Sequence, residues 1–258
     1  MKISIITATF NSGATLRDTI QTVLTQTYRE IEYIIIDGNS RDNTLEIVRE
    51  FEPYFDGRMR WISEPDNGIY DAMNKGIRMA TGDIIGILNS DDFYNDENVL
   101  ADIVNAFGCK KTDCVYGNLV FVDSAKPDKI VRRWIGSQYT PGAFLKGWHP
   151  AHPTFYAKRV WFEKLGVFDT SFNVSADFEL MLRFLEKQGL SNSYLDRCFV
   201  KMRQGGESTG SIRNIIRGNR NILRAFKKNG YDVSYFYLVR RLVPKVCDLI
   251  RTKYFNRK

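Results

Sequence analysis

The chain has 258 residues, 43% of them hydrophobic, which suits one large domain or one domain with an appendage. Its formal charge of +7 is concentrated at one end: residues 211–258 hold thirteen Lys/Arg against Asp232 and Asp248, a segment of +11 on a body of −4. No run approaches the roughly 20 apolar residues of a membrane-spanning helix. Met1 to Ile6 is too short for a secretion signal. Cys109, Cys114, Cys198 and Cys247 lack the paired spacing of a zinc site, so reduced thiols in a cytoplasmic protein are expected.

In chain order, residues 2–9 read as an Ile-rich strand buried on both faces. Ser12 is placed to cap a helix over Thr15–Thr25, where Leu16, Ile20, Val23 and Leu24 follow helical spacing. A second strand over Glu32–Ile36 ends at Asp37-Gly38, and Asp42 caps a helix over Thr44–Phe51. Met59–Ser63 is a third strand, Gly68–Ala80 a helix with Gly82 beyond its end, and Asp83–Leu88 a fourth strand. The alternation predicts a parallel sheet with right-handed crossovers. Asp37, Glu64 with Asp66, and Asn89-Ser90-Asp91-Asp92 each follow a strand and should converge on one sheet edge, where open α/β sheets bind ligands. Adjacent Asp91 and Asp92 repel each other, and a divalent cation bridging to a phosphate is the usual reason to place them together.

Asn95–Phe107 is a further helix. Short strands over Cys114–Val122 and Ile130–Trp134 flank a turn, and residues 136–153 read as loop. Thr154–Ala157 is a strand, Val160–Leu165 a helix and Asp177–Gln188 an amphipathic helix. Both histidines, His149 and His152, fall in the loop Gly147-Trp148-His149-Pro150-Ala151-His152-Pro153, where Trp148 offers an apolar ring face for a ligand and Gly142 and Gly147 would allow lid motion.

The motifs resemble family 2 glycosyltransferases of the GT-A fold, in the branch that builds bacterial surface polysaccharides. The resemblance covers about residues 1–205. It is carried by Thr7-Ala8-Thr9-Phe10-Asn11; Ile35-Ile36-Asp37-Gly38-Asn39-Ser40 with Asp42 and Thr44; Glu64-Pro65-Asp66-Asn67-Gly68 running into Ile69-Tyr70-Asp71-Ala72-Met73-Asn74-Lys75-Gly76; Leu88-Asn89-Ser90-Asp91-Asp92; and Ser175-Ala176-Asp177-Phe178-Glu179-Leu180 with Arg183. It implies a Rossmann-like, mostly parallel central sheet flanked by helices, with residues 1–107 as a nucleotide-binding half, 108–205 as an acceptor-side half and 206–258 as a basic helical extension.

The resemblance also implies site residues. Thr7, Thr9, Phe10, Asp37, Glu64, Asp66, Asn67, Gly68, Asn74, Lys75, Asn89 and Ser90 fall where the family contacts its nucleotide-sugar donor. Phe10 would stack on the base and Asp37 accept from a pyrimidine N–H, with Gly38 allowing close approach; the competing reading makes Phe10 core and Asp37 a cap partner. Asp91 matches the acidic ligand of Mn²⁺ or Mg²⁺, and His152 is a second candidate ligand. The family's first acidic position is here Asn89, a poorer metal ligand, and Asp92 competes as a helix cap. Asp177 aligns with the general base of an inverting transfer, against a plain N-cap reading, with Glu179 as alternative. Asp71–Lys75 could be an exposed ion pair, or Lys75 could reach phosphate.

The tail reads as an amphipathic helix over Tyr235–Tyr254, with Tyr235, Leu238, Val239 and Leu242 on its apolar face, preceded by a basic stripe of Arg213, Arg217, Arg220 and Arg224. The expectation is a peripheral enzyme on the inner membrane face, drawn to anionic lipid and to a polyprenyl-linked saccharide acceptor; the alternative docks the helix on the catalytic domain. No nucleic-acid module is evident. A nucleotidyltransferase would need an early Gly-rich basic loop, where residues 7–17 offer only Gly13 and Arg17. A non-catalytic binding protein is disfavoured by Asp37, Asp91 and Asp177 together. Oligomeric state is left open.

Overall fold

A computed structural model of the chain describes residues 1–205 and 212–241. The first half alternates as the sequence reading expects: β1 (Ile3–Thr9), α1 (Leu16–Leu24), β2 (Ile31–Asp37), α2 (Thr44–Phe51), β3 (Met59–Ser63), α3 (Ile69–Met79) and β4 (Ile84–Ile87). The strands pair in parallel in the order β3-β2-β1-β4. Every residue of β1 and β2 is buried, because helices cover both faces of the sheet. Alternation sorts the side chains, with Ile6 and Ala8 entering one core layer and Ile3 and Ile5 the other. The register sets Thr9 opposite Asp37 and Asp37 opposite Ser63, so these strands end level along one edge.

The second half departs from a parallel plan. After β5 (Phe93–Tyr94) and α4 (Val99–Lys110) come β6 (Cys114–Val122), β7 (Ile130–Trp134), β8 (Tyr156–Lys158), α5 (Arg159–Leu165), α6 (Ala176–Met181) and β9 (Asn192–Arg203). The sheet continues as β4-β8-β6-β9-β5 with β7 on β6, and only β6–β9 among these pairings is parallel. The reading from sequence did not contain the twelve-residue β9. Its mixed burial and interspersed Asp196, Arg197, Lys201 and Arg203 hide the alternation of a half-buried strand. β8 starts later than expected because the Thr154 hydroxyl is used in the preceding turn, bonded to the Gly117 and Ala151 carbonyls.

Where β4 meets β8, Gly86 faces Tyr156, and a Cβ at Gly86 would lie 2.0 Å from the tyrosine ring. Tyr156 therefore lies against bare backbone, its hydroxyl 3.0 Å from that of Tyr94. The expected amphipathic helix from Asp177 is instead buried on most sides: α6 passes into a π-helical turn over Leu182–Lys187. Glu179 is buried there between Arg183 and Asn229, which removes it as an alternative base. α7 (Ile212–Lys228) and α8 (Phe236–Arg240) send Ile222, Phe226 and Tyr237 into the same core. Tyr237 and the half-buried Leu238 of α8 face inward, while Tyr235 and Val239 are exposed, so of the expected apolar face Leu238 alone among the described residues meets the core. The side chain of Arg213 and the tail beyond residue 241 lie outside the described residues.

Two polar clamps hold the frame. Asn74, on α3, is buried and binds the Phe168 backbone twice, donating to its carbonyl at 2.8 Å and accepting from its N–H at 2.9 Å. It is a structural bracket, which corrects its assignment to donor binding. Glu32 lies nearly buried among Ser4, Thr81 and Arg60. Burial pushes its carboxyl up, but hydrogen bonds from Thr81, Ser4 and Arg60 outweigh this and hold it at about 2.

Replacing Asn74 with Ala should lower stability in urea unfolding by about 2 kcal/mol, because two buried backbone groups lose their partners. Glu32→Gln should cost about 2 kcal/mol at neutral pH. A depressed carboxyl stabilises fully above its ordinary value of 4.5, and the contribution fades as pH falls toward about 2. The stability gap between wild type and variant should therefore be flat from neutral pH down to the mid-fours and shrink below.

Candidate active site

The level strand ends assemble one corner of the site. Asp37, at the end of β2, is buried and accepts from the Ser40 N–H at 3.0 Å, the Ser40 hydroxyl and the Ser63 hydroxyl at 2.7 Å. Three of its roughly four acceptor directions are used, leaving one on Oδ1. Phe10 is 61% exposed, so the core reading of this ring is excluded. Both Phe10 and the Asp66 carboxylate border Gly38, where a Cβ would lie 3.4 Å from Phe10 and 2.5 Å from Asp66 Oδ2. Asp66 Oδ1 accepts from the Gly68 N–H at 2.8 Å, shaping the turn into α3.

Several expected donor contacts turn out to be scaffolding. Thr7 is fully buried and donates to the Leu88 carbonyl at 2.7 Å, tying β1 to β4. Lys75 pairs with Glu64 at 2.8 Å and donates to the Pro65 carbonyl, so the Asp71–Lys75 pair is not formed. Asp71 instead accepts from the Asn67 N–H. Thr9 is buried with its hydroxyl unpartnered, and the Asn67 side chain is exposed. Ser12 does not cap α1 through its side chain; its hydroxyl meets that of Ser90 at 2.9 Å.

The acidic turn lies just past β4. Asn89 donates to Asp92 Oδ2 at 3.0 Å while its own Oδ1 and Asp92 Oδ1 have no partner. Asp92 is fully buried and far from the start of α4, so it is not a helix cap. Burial, then the charge of Asp91, pushes its carboxyl well above the usual range. Burial also raises Asp91, with the charges of Arg203 and His152 opposing. Arg203, from the unexpected β9, donates to the Asp91 carbonyl at 2.8 Å and pairs with Asp18.

Ser175 has φ of 71°, which turns the chain so that α6 starts beside this turn. Asp177 makes no cap bond; Oδ1 accepts from the Tyr70 hydroxyl at 2.9 Å and Oδ2 lies 3.2 Å from His152 Nδ1. Burial, then Asp177, pushes the Tyr70 phenol well above its ordinary value. His152 thus engages the expected base directly. His149 instead packs between the rings of Trp134 and Phe178, both at 5.3 Å. Trp148 joins Tyr116, Tyr139 and Phe144 at the core margin, so its ring is engaged by neighbouring aromatics. The loop before it is tied to Glu186 through the Gly142 N–H and the Tyr139 hydroxyl.

Asn89, Ser90, Asp91, Tyr70, His152 and Asp177 line one cavity of about 370 Å³, with apolar residues such as Met73 and Leu180 behind them. A second, of about 730 Å³, shares His152 and Asp177 and is otherwise walled by Phe121, Arg132, Trp134 and Arg241. Asp177 therefore stands between two chambers, one holding the acidic turn. Tyr70 was visible only as an α3 face residue. Arg203 went unread with its strand, and Arg241 falls on the basic side of the expected tail helix. Among the described residues no cluster of three or more His, Cys, Asp or Glu side chains is placed to hold a metal ion. The unpartnered oxygens of the Asn89 amide and the buried Asp92 carboxyl, beside the half-buried Asp91, nonetheless fit a cation whose remaining ligands come from a bound diphosphate and water.

The model of the family described as glycosyl transferase family 2 matches residues 4–188. A glycosyltransferase of Mycobacterium tuberculosis (strain CDC 1551 / Oshkosh), itself uncharacterized, is 35% identical over 190 residues, covering 70% of this chain and 68% of that protein. The PGL/p-HBAD biosynthesis glycosyltransferase of Mycobacterium bovis (strain BCG / Pasteur 1173P2) is 28% identical, covering 77% of this chain and 82% of its own. S. aureus TarS 1–349, solved with UDP-GlcNAc, superposes with a TM-score of 0.68 at 16% identity over 94% of this chain and 73% of that one. The mannosyltransferase PcManGT of Pyrobaculum calidifontis, solved with GDP-Man and Mn²⁺, gives 0.65 at 19% identity over 94% of this chain and 69% of its own. Against a longer TarS chain, this chain spans less than half, 43%. The central sheet flanked by helices is the GT-A fold of these neighbours. The chain is a glycosyltransferase and belongs to glycosyl transferase family 2.

Proposed function

We propose that the chain is an inverting, metal-dependent transferase that moves a hexosyl or N-acetylhexosaminyl group from a nucleoside diphosphate, of the UDP type, to a lipid-linked saccharide in surface-polysaccharide assembly. The observation that carries this reading is the position of Asp177, gripped by Tyr70 and His152 on the wall shared by the two cavities. The donor occupies the chamber of the acidic turn. Phe10 covers the base face, and Asp37 and Asp66 accept at its edge. Asn89 and Ser90 meet hydroxyls of the ribose or sugar.

Asp91 would hold Mn²⁺ or Mg²⁺, with the free Asn89 oxygen and Nε2 of His152 nearby as further donors; when bound, the ion supplies charge that stabilises the departing diphosphate. Asp177 takes the proton from the acceptor hydroxyl as that oxygen bonds the anomeric carbon and the bond to the diphosphate breaks on the opposite face, so the centre inverts. Tyr70 and His152 hold the carboxylate on this line of attack. Domain roles follow the same division, with residues 1–107 serving the donor and 108–205 the acceptor.

We place the enzyme at the inner membrane face. Tyr235, Phe236 and Val239 are exposed at 81%, 71% and 57%, beside exposed Arg217, Arg220 and Arg240, a combination suited to an anionic lipid surface. Arg224 is withdrawn from the expected stripe by its bonds to Ser171. Among the described residues no helix is long and apolar enough to cross a membrane.

Asp177→Asn should reduce turnover roughly 10³-fold with UDP affinity retained, the expected scale for loss of a general base; near-normal turnover would remove Asp177 from the mechanism. In thermal shift, UDP-GlcNAc with Mn²⁺ should raise the melting temperature of the wild type by mass action. Asp91→Asn should abolish the Mn²⁺-dependent part of that rise, and an undiminished rise would show that Asp91 does not hold the ion.

A further inference from the structure

The base is reached through an irregular segment, residues 166–175, that joins α5 to α6. Its last residue, Ser175, has φ of 71°. A serine in that left-handed region is uncommon and persists only where its surroundings fix it. The start of the segment is fixed from within the domain. Asn74 brackets Phe168, and Arg183 holds the carbonyls of Leu165, Gly166 and Val167.

The end of the segment is fixed by α7. Asn221 donates to the Val174 carbonyl at 2.8 Å, one peptide before the left-handed residue. Arg224 donates to the Ser171 carbonyl at 3.0 Å and to its hydroxyl at 2.7 Å, with its guanidinium 4.4 Å from the centre of the buried Phe172 ring. Lys228 pairs with Asp169. Gly218 is buried against the same turn, where a Cβ would stand 3.6 Å from Ser175 Oγ and 3.7 Å from Val174 Cγ1. Gly218, Asn221, Arg224 and Lys228 recur at helical spacing, so one face of α7 lies along the segment. Arg217, Arg220 and Lys227 are exposed on the other side. Docking alone would need only Ile222, Ala225 and Phe226, which enter the core. The amide and guanidinium groups are directed instead at backbone carbonyls of the segment that precedes the base.

That segment also walls the site. Val174 lines both cavities, and Asp177 follows in the first turn of α6. The dihedrals of Ser175 set the direction in which α6 begins. Their loss would shift Asp177 relative to Tyr70 and His152. We infer that α7 is a positioning element of the transfer reaction: Asn221 and Arg224 hold the turn over Ser171–Ser175 in the conformation that aims Asp177. The inference rests on the reading of Asp177 as the base. It adds residues that line neither of the two cavities, from a helix beyond the stretch that carries the family motifs. A displaced carboxylate loses rate while the donor site keeps its affinity, and misplacement by about 1 Å costs up to ~10²-fold in turnover.

Steady-state UDP release from UDP-GlcNAc with Mn²⁺, water serving as acceptor, tests this together with amide hydrogen exchange of the full chain. Asn221→Ala and Arg224→Met each remove the donors, and methionine keeps an apolar stem over Phe172. In each, kcat should fall at least about tenfold while KM for UDP-GlcNAc and Kd for UDP stay within about twofold. Exchange should quicken in residues 171–179 and not in β1 or β2. Lys227→Gln, on the exposed side of the same helix, should match the wild type. Two variants guard against one failing to fold. A kcat near the wild-type value in either folded variant overturns the inference, and an inactive Asp177→Asn beside it shows that the base reading stands. A parallel loss of kcat, UDP affinity and exchange protection across the sheet also overturns it, leaving α7 as general support. Near-normal turnover of Asp177→Asn removes the base reading and this inference with it. So does a wild type that releases no UDP from UDP-GlcNAc, UDP-glucose or UDP-galactose.

Discussion

The structure turns on one carboxylate held from two sides. Asp177 belongs to α6, Tyr70 to α3 and His152 to the loop before β8, so its contact with Tyr70 adds to the β4–β8 pairing and the Asn74–Phe168 bracket in tying the first half of the chain to the second. Each partner is itself fixed. α3 is bracketed to the chain at Phe168 by Asn74, and Thr154, two residues past His152, is bonded to Gly117 on β6. Both oxygens of the carboxylate are thereby aimed before any ligand arrives. Preorganised groups of this kind need no rearrangement at the moment of reaction, which is where a rigid site gains over a mobile one.

Electrostatics set the second constraint. Asp91 and Asp92 are crowded in a buried turn, and burial raises both carboxyls. Arg203 moderates Asp91 from β9, the same strand whose pairing with β6 builds the far half of the sheet. Local repulsion is tolerated because the sheet around it is closely packed, as in the contact of Tyr156 on Gly86. Stability spent at an acidic turn is recovered from apolar layers such as Ile3, Ile5 and Ile6 on either face of β1.

Much of the first half was legible because its signals are local. Ile-rich strands, helical spacing and a Gly or Asp at each boundary leave little choice, and β3, β6 and β7 fall where the pattern puts them. Motif order identified the family, and Asp177 and His152 did meet in space. What could not be read depends on contacts distant in sequence. Lys75 looked free to choose between Asp71 and a phosphate, yet Glu64 takes it. Thr7 and Asn74 carry the residue types of ligand contacts but are consumed by Leu88 and Phe168. β9 lacks a clean period because its exposed and buried positions both carry polar groups. In the tail, the spacing pointed to an amphipathic helix, but within the described α8 the inward position of Tyr237 is set by Phe226, whose ring it meets at 4.8 Å.

The place of Arg241 in the wall of the larger cavity has a consequence for the order in which the protein becomes competent. Chains emerge from the ribosome N-terminus first and their units fold in that order. The lining of the smaller cavity ends at Met202, whereas that of the larger one includes Arg241. On the roles proposed above, the donor side of the site is drawn from residues synthesised before the last wall of its acceptor side. On those roles, competence for transfer, as distinct from competence for binding, arrives only with the last described turn.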